Sequence, residues 1–153
     1  MKLSHFSKAV VALVAAGLAI GVSGCSLFAP AYRDANGTVT ATASVSASAL
    51  KTGDCILNVS SLGSTVTKLE VVPCSSQHEA EVYAVNPKID NVKATMDAWC
   101  TGDAFTQYIG VDFNSSKLDA TYIHADKGAT TDLQCIVYSE GNMVTTSYKG
   151  SAK

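Results

Sequence analysis

The chain has 153 residues, 11 basic and 13 acidic, with a formal net charge of -2. No cluster of lysine or arginine offsets that mild acidity, which excludes a grip on the phosphate backbone of a nucleic acid. The length suits one small domain with a real core rather than an array of domains.

The N-terminus stands apart from the rest. Lys2 and Lys8 precede an apolar, alanine- and valine-rich run from Ala9 to Val22. A basic end followed by a short apolar stretch is the layout of a secretory signal peptide. Those 14 residues make a helix of about 21 Å, short of a hydrocarbon core of about 30 Å. The run ends in Val22-Ser23-Gly24-Cys25, which looks like the lipobox of a bacterial lipoprotein. That likeness implies cleavage before Cys25, a diacylglyceryl group on its thiol, and a mature chain held to a membrane by acyl chains such as palmitate. Each buried methylene contributes about 0.8 kcal/mol, so two or more chains give lasting attachment. The expected organisation is therefore a lipoprotein signal peptide over 1–24, a lipidated N-terminus and short tether over 25–32, and an extracytoplasmic domain over 33–150. Removal of residues 1–24 leaves 129 residues (153 - 24) and nine basic side chains (11 - 2) against 13 acidic, a charge of -4.

Residues 26–37 carry one proline, one glycine and no periodicity, and read as tether. Residues 38–49, rich in alanine, serine and threonine, fit either a linker or a modest edge strand carrying Val39 and Val45. Thr52-Gly53-Asp54 is a turn signal before a short strand over Ile56–Val59. A second strand spans 66–72 and stops at Pro73. A third runs from Glu81 to Val85, with either face usable, and Asn86-Pro87 ends it. The period then changes to that of a helix, with Val92, Met96, Trp99 and Cys100 forming one stripe and Asn91 as its N-cap. Thr101-Gly102-Asp103 interrupts, and Ala104, Phe105, Tyr108 and Ile109 form a second stripe ending before Gly110. Trp99, beside Cys100, reads as a large core side chain near a disulfide. Strands return over 118–123 and 133–138, and a turn at 139–142 leads to a further hairpin strand over 143–148. Strands, a helical middle, then strands with short connections predict an α+β fold: a small, mostly antiparallel sheet with one or two central helices.

With Cys25 assigned to lipid, four cysteines remain in an exported, oxidising setting, so two disulfides are expected. Of three possible pairings, Cys55–Cys74 and Cys100–Cys135 are preferred because each closes a local unit. The crossed and nested pairings stay open. A metal site is the competing reading, from Cys74 and His78 in C-x3-H spacing, but no C-x2-C partner accompanies them. No metal or cofactor is expected.

No catalytic motif stands out. There is no G-x-S-x-G elbow in the mature chain, and His78-Glu79 lacks the second histidine of a zincin helix. Nor does the stretch from Asp112 to Asp119 carry the periodic oxygen ligands of a calcium loop. His78 with Glu79, and His124 with Asp126, are the remaining acid–base pairs. General acid–base work needs both groups within reach of one substrate position, and in an extended strand residue 78 points away from 79 and 81.

The densest motifs are Gly53-Asp54-Cys55 and Val72-Pro73-Cys74-Ser75-Ser76-Gln77-His78-Glu79-Ala80-Glu81-Val82-Tyr83. Together they resemble the septum formation family of actinobacterial exported and membrane proteins, with its G-D-C followed by V-P-C-S-x-x-H-x-A-E-V-Y. Arg33-Asp34, with Gly37, Val39 and Thr40, resembles the approach to the G-D-C. Thr145-Thr146-Ser147-Tyr148-Lys149-Gly150 resembles the closing T-G-S-L-K-G. The likeness spans residues 33–150 and makes Gly53, Asp54, Pro73, His78, Glu81 and Tyr83 its motif residues. It departs before Cys135, where Asp126–Cys135 lacks the family's tryptophan and G-D-R. The resemblance implies that 38–49 belongs to the first strand and that the chain is a cell-envelope domain associated with septum formation; it brings no chemistry with it.

The expected function is accordingly non-enzymatic: a lipid-anchored domain on the extracytoplasmic face of the cell membrane that binds an envelope protein or a cell-wall component. The alternative is a small envelope enzyme or metal-binding protein built on His78, Glu79 and Glu81, and a mechanical or spacing role is a third possibility.

Overall fold

The computed structural model describes residues 32–59 and 66–153. The signal-peptide and lipobox expectations, with Cys25, lie outside the described residues. Six strands form one antiparallel sheet: β1 (Ala43–Ser46), β2 (Cys55–Ile56), β3 (Lys68–Val72), β4 (Ala80–Asp90), β5 (Asp119–Lys127) and β6 (Thr130–Tyr138). Their spatial order is β1-β3-β2-β4-β6-β5. Two short helices, α1 (Lys93–Thr101) and α2 (Asp103–Ile109), connect β4 to β5. The expected α+β class is what the chain adopts, and both preferred disulfides, Cys55–Cys74 and Cys100–Cys135, are present.

The two helices are one bent unit because of Gly102. A Cβ at that position would lie 2.7 Å from the Ala98 carbonyl oxygen, so a side chain there would force α1 and α2 apart. Met96, Cys100, Phe105, Tyr108 and Ile109 line the inner side of this unit and pack on Tyr83, Leu133, Cys135 and Val137 of the sheet. The opposite sheet face carries a second core of Val45, Ile56, Leu69, Val71, Ala80, Val82 and Ile136, covered in part by Val39 and Leu50. Side chains along β4 and β6 thus feed two cores, one on each face, and β2 adds Ile56 to the second.

Several sequence expectations change. Pro87 does not end the third strand: β4 continues to Asp90 through a register shift between Asn86 and Ile89. An extra residue at a bulge sits outside the ladder, where the missing N–H of proline removes no sheet hydrogen bond. A second shift, between Val82 and Ala84, makes Tyr83 the extra residue. Tyr83 and Ala84 therefore both belong to the helix-side core while Val82 and Val85 belong to the other. Asn91 is not the helix N-cap. Val92 holds that position, more than half exposed, and the Asn91 amide instead donates to the Gly128 carbonyl. Trp99 is only half-buried, at the edge of the helix-side core. Of residues 38–49, four form β1 and Ala47–Ala49 a 3-10 turn. As a very short strand at the sheet border with exposed Ser44 and Ser46, β1 offers little template for further pairing.

The segment 143–148 is not a hairpin strand. Its one sheet-like contact is the paired bridge between Val144 and His78, with hydrogen bonds of 2.9 and 2.8 Å. The backbone beyond it bonds elsewhere: the Gly150 N–H to the Tyr108 carbonyl and the Ala152 N–H to the Ile109 carbonyl. The C-terminal segment thus straps the end of α2 to the sheet.

Candidate functional site

The motif residues meet where β2, the start of β4 and α2 come together. Gly53 has φ +91, in the left-handed region that favours glycine. That turn lets its N–H donate to the Val82 carbonyl at 2.7 Å while the Val82 N–H donates to Asp54 at 2.9 Å. Asp54, 2% exposed, accepts both arms of the Arg33 guanidinium at 2.5 and 2.6 Å and the Lys51 N–H at 2.8 Å. Arg33 also donates to the Gly37 carbonyl. The hydrogen bonds to Asp54 hold the guanidinium pKa above its ordinary value, against the opposing effect of burial. The stretch after the expected tether is thereby clamped to the Gly-Asp-Cys turn.

Pro73 ends β3 and opens a turn closed by the Ser76 N–H on its carbonyl at 2.7 Å. That turn presents Cys74 to Cys55, with a Cα separation of 5.3 Å. His78 follows, fully buried. Its Nδ1 lies 2.9 Å from the Ser76 carbonyl oxygen; since a carbonyl only accepts, this nitrogen carries the proton. The ring stands edge-on to Tyr148, with centroids 6.2 Å apart. Its Nε2 is buried without a partner among the described residues.

Glu81 is the centre of the cluster, 1% exposed. Its Oε1 accepts the Tyr108 hydroxyl at 2.5 Å and the Ser147 hydroxyl at 2.7 Å, and its Oε2 accepts the Tyr148 N–H at 2.6 Å. A buried carboxylate needs such donors to offset the loss of water. Burial first, and then the bond to Glu81, push the Tyr108 hydroxyl pKa up. Tyr83 donates its hydroxyl to the Cys100 carbonyl and stands edge-on to Phe105 at 5.5 Å. The half-buried Glu79 turns elsewhere, accepting the Val59 N–H at 2.8 Å. Neither carboxylate bonds to the His78 ring, so the three residues do not converge on one position. His124 lies exposed on β5, its ring 5.8 Å from that of Tyr122.

One trio could in principle hold a metal, since the sulfurs of Cys55 and Cys74 and an oxygen of Glu81 lie within 4.8 Å of one another. The sulfurs are joined to each other, however, and a disulfide offers no thiolate. The C-x3-H reading of Cys74 with His78 fails for the same reason.

Beside the cluster is an open cleft of about 360 Å³ lined by Tyr83, Trp99, Gln107, Tyr108 and Thr52, with Ala84, Val85 and Ala104 beneath. Among the described residues no charged side chain lines it, and the nearby Lys149 Nζ lies 5.9 Å from the centroid of the Tyr108 ring. The helical stripe that contains Tyr108 marks it as inward-facing but carries no sign of its bond to Glu81. A glutamate at a buried strand position must find donors, and Tyr108 with Ser147-Tyr148 supplies them from distant parts of the chain. Comparison with models of known protein families, with curated proteins and with solved structures found no match.

Proposed function

We propose that this chain is a non-enzymatic binding domain of the cell envelope, carried outside the membrane by lipid on Cys25, and that it belongs with the septum formation-like proteins its motifs resemble. One observation carries the reading. The titratable motif residues are engaged in holding the fold, while the half-buried Trp99 stays accessible at an open cleft beside them, above the buried rings of Tyr83 and Tyr108. A large aromatic side chain accessible at a cleft is a usual anchor of recognition. The partner group that fits is uncharged: an apolar or aromatic side chain of an envelope protein, or the apolar face of a cell-wall sugar.

The test is retention of envelope material by the purified chain, wild type against Trp99→Ala. A discrete protein or cell-wall fragment held by the wild type and lost in the variant is the expected outcome. Equal retention by both, or none by either, would remove the cleft from the account. Anchoring is tested separately: Cys25→Ala should move the protein from the membrane fraction to the soluble one, and unchanged membrane retention would refute the lipid attachment.

A further inference from the structure

The two borders of the sheet are built differently. β1 closes one side with four residues. β5 closes the other with nine, and its pairing with β6 runs from Asp119 to Lys127 without a register shift. A border strand directs one row of backbone N–H and C=O groups away from its sheet, and folded chains blunt such a row with brevity, bulges, prolines or charges along it. β5 has no proline and no bulge, and its formally charged residues, Asp119, Asp126 and Lys127, stand at its ends. Residues 120–125, A-T-Y-I-H-A, carry no carboxylate, lysine or arginine. His124 and Ala125 are exposed, and Thr121, Tyr122 and Ile123 half-buried.

The hairpin fixes which residues of β5 face outward. Lys127 and Thr130 close a two-residue turn with Gly128 at φ +82. The hydrogen bond of such a turn makes 127 and 130 a bonded pair. By the alternation of an antiparallel ladder, odd-numbered residues of β5 then bond to β6 and even-numbered ones direct their backbone groups away from it. A second β5 laid antiparallel, even residues opposite even residues, uses that outward row in full. With Ile123 on the two-fold axis, Tyr122 of each copy meets His124 of the other, and acidic Asp119 meets basic Lys127 at both ends. Opposite charges and aromatic pairs across strands are stabilising, and like charges directly opposite are not. Moving the axis to residue 122 or 124 takes Asp119 and Lys127 out of opposition. An axis midway between 122 and 123 opposes two aspartates, 119 and 126, and breaks the match of outward rows.

We infer that β5 is the docking edge for a second copy of this chain, joining two sheets across an antiparallel β5–β5 seam with Ile123 at its axis. Self-complementary order about one residue is what a two-fold interface requires, and an unrelated extended peptide has no need of it. β5 shares no residue with the Trp99 cleft, so the inference stands apart from the proposed binding role.

Cysteines placed along β5 of the full chain test the seam in intact cells. At the axis the two Cα atoms of an unbonded pair lie about 4.5 Å apart, within the roughly 4.4–6.8 Å span of a disulfide. Mild oxidation of Ile123→Cys should therefore give a disulfide-linked species of twice the chain mass on a non-reducing gel. Ala125→Cys should give none, because position 125 faces 121 of the other copy and lies about 14 Å along the strand from its own counterpart. The double variant Thr121→Cys/Ala125→Cys should restore the link, and it reports the same seam with Ile123 left in its core. Proline is tolerated where a border strand's N–H faces outward, so His124→Pro should keep the β5–β6 pairing and abolish the Ile123→Cys link. Trp99→Ala should leave the link unchanged. Monomer alone from both Ile123→Cys and the double variant would overturn the inference. So would a link from Ala125→Cys as strong as that from Ile123→Cys, a link that survives His124→Pro, or an adduct with a different protein in place of the doubled mass.

Discussion

Asp54→Ala should be among the most damaging single changes in the domain. The substitution leaves the Arg33 guanidinium, whose side chain is 11% exposed, without the carboxylate that meets it at two points. It also strips the Lys51 N–H of its acceptor. Removing one partner of a buried ion pair costs about 3–5 kcal/mol, because the other charge stays desolvated. For a domain of this size, that corresponds to a fall in Tm of roughly 10–20 °C. Urea unfolding under non-reducing conditions, monitored by circular dichroism, measures it directly. Arg33→Ala should cost a similar amount. The double variant Arg33→Met/Asp54→Leu should cost less than the sum of the two single alanine variants, since no buried charge is left alone. If each single variant costs under about 1 kcal/mol, as exposed ion pairs do, the Arg33–Asp54 clamp is not the buried device described above.

Glu81→Ala leaves the Tyr108 and Ser147 hydroxyls and the Tyr148 N–H without their acceptor. It should destabilise by at least about 3 kcal/mol, and hydrogen exchange at Tyr148 should rise with it; an unprotected Tyr148 amide in the wild type would contradict the geometry. Replacing both Cys100 and Cys135 with alanine opens a 35-residue separation and should cost about 3–4 kcal/mol on the chain-entropy account, read as a lower urea midpoint. In alkali, burial holds the Tyr83 hydroxyl pKa above its ordinary 10.0. A raised folded-state pKa contributes stability that is complete below pH 10 and declines from there until the folded pKa is passed. Stability should therefore decline above pH 10, with a smaller decline in Tyr83→Phe; identical alkaline profiles would remove Tyr83 from the effect.

Much of the architecture was legible because it depends on local pattern. The apolar stripes of α1 and α2 follow the helical period, and their break at Thr101-Gly102-Asp103 is where Gly102 meets Ala98. Assigning Cys25 to lipid left an even number of cysteines, and the two local pairings are those present. What could not be read depended on non-local contacts. Pro87 looked like a terminator because the compensating bulge is defined by β6, a strand more than forty residues away. The stretch 143–148 has strand-like residues, yet Tyr148 turns its N–H to Glu81 rather than to a neighbouring strand. Val92 has the period of the helical stripe but lies before its first turn, so it stays in solvent. The candidate site was half legible: its motif residues were singled out, but Tyr108 as the Glu81 donor and Trp99 as a cleft wall required the fold.

The most direct test of the proposed role is photo-crosslinking in intact cells from a reactive group placed at Gln107, on the lining of the Trp99 cleft. Ser44, exposed on β1, serves as the control position. The account predicts a discrete envelope adduct from position 107 that is absent from position 44 and lost when Trp99→Ala is added. The same adducts from both positions, or none from position 107 in a protein that reaches the envelope, would contradict a binding role for this cleft.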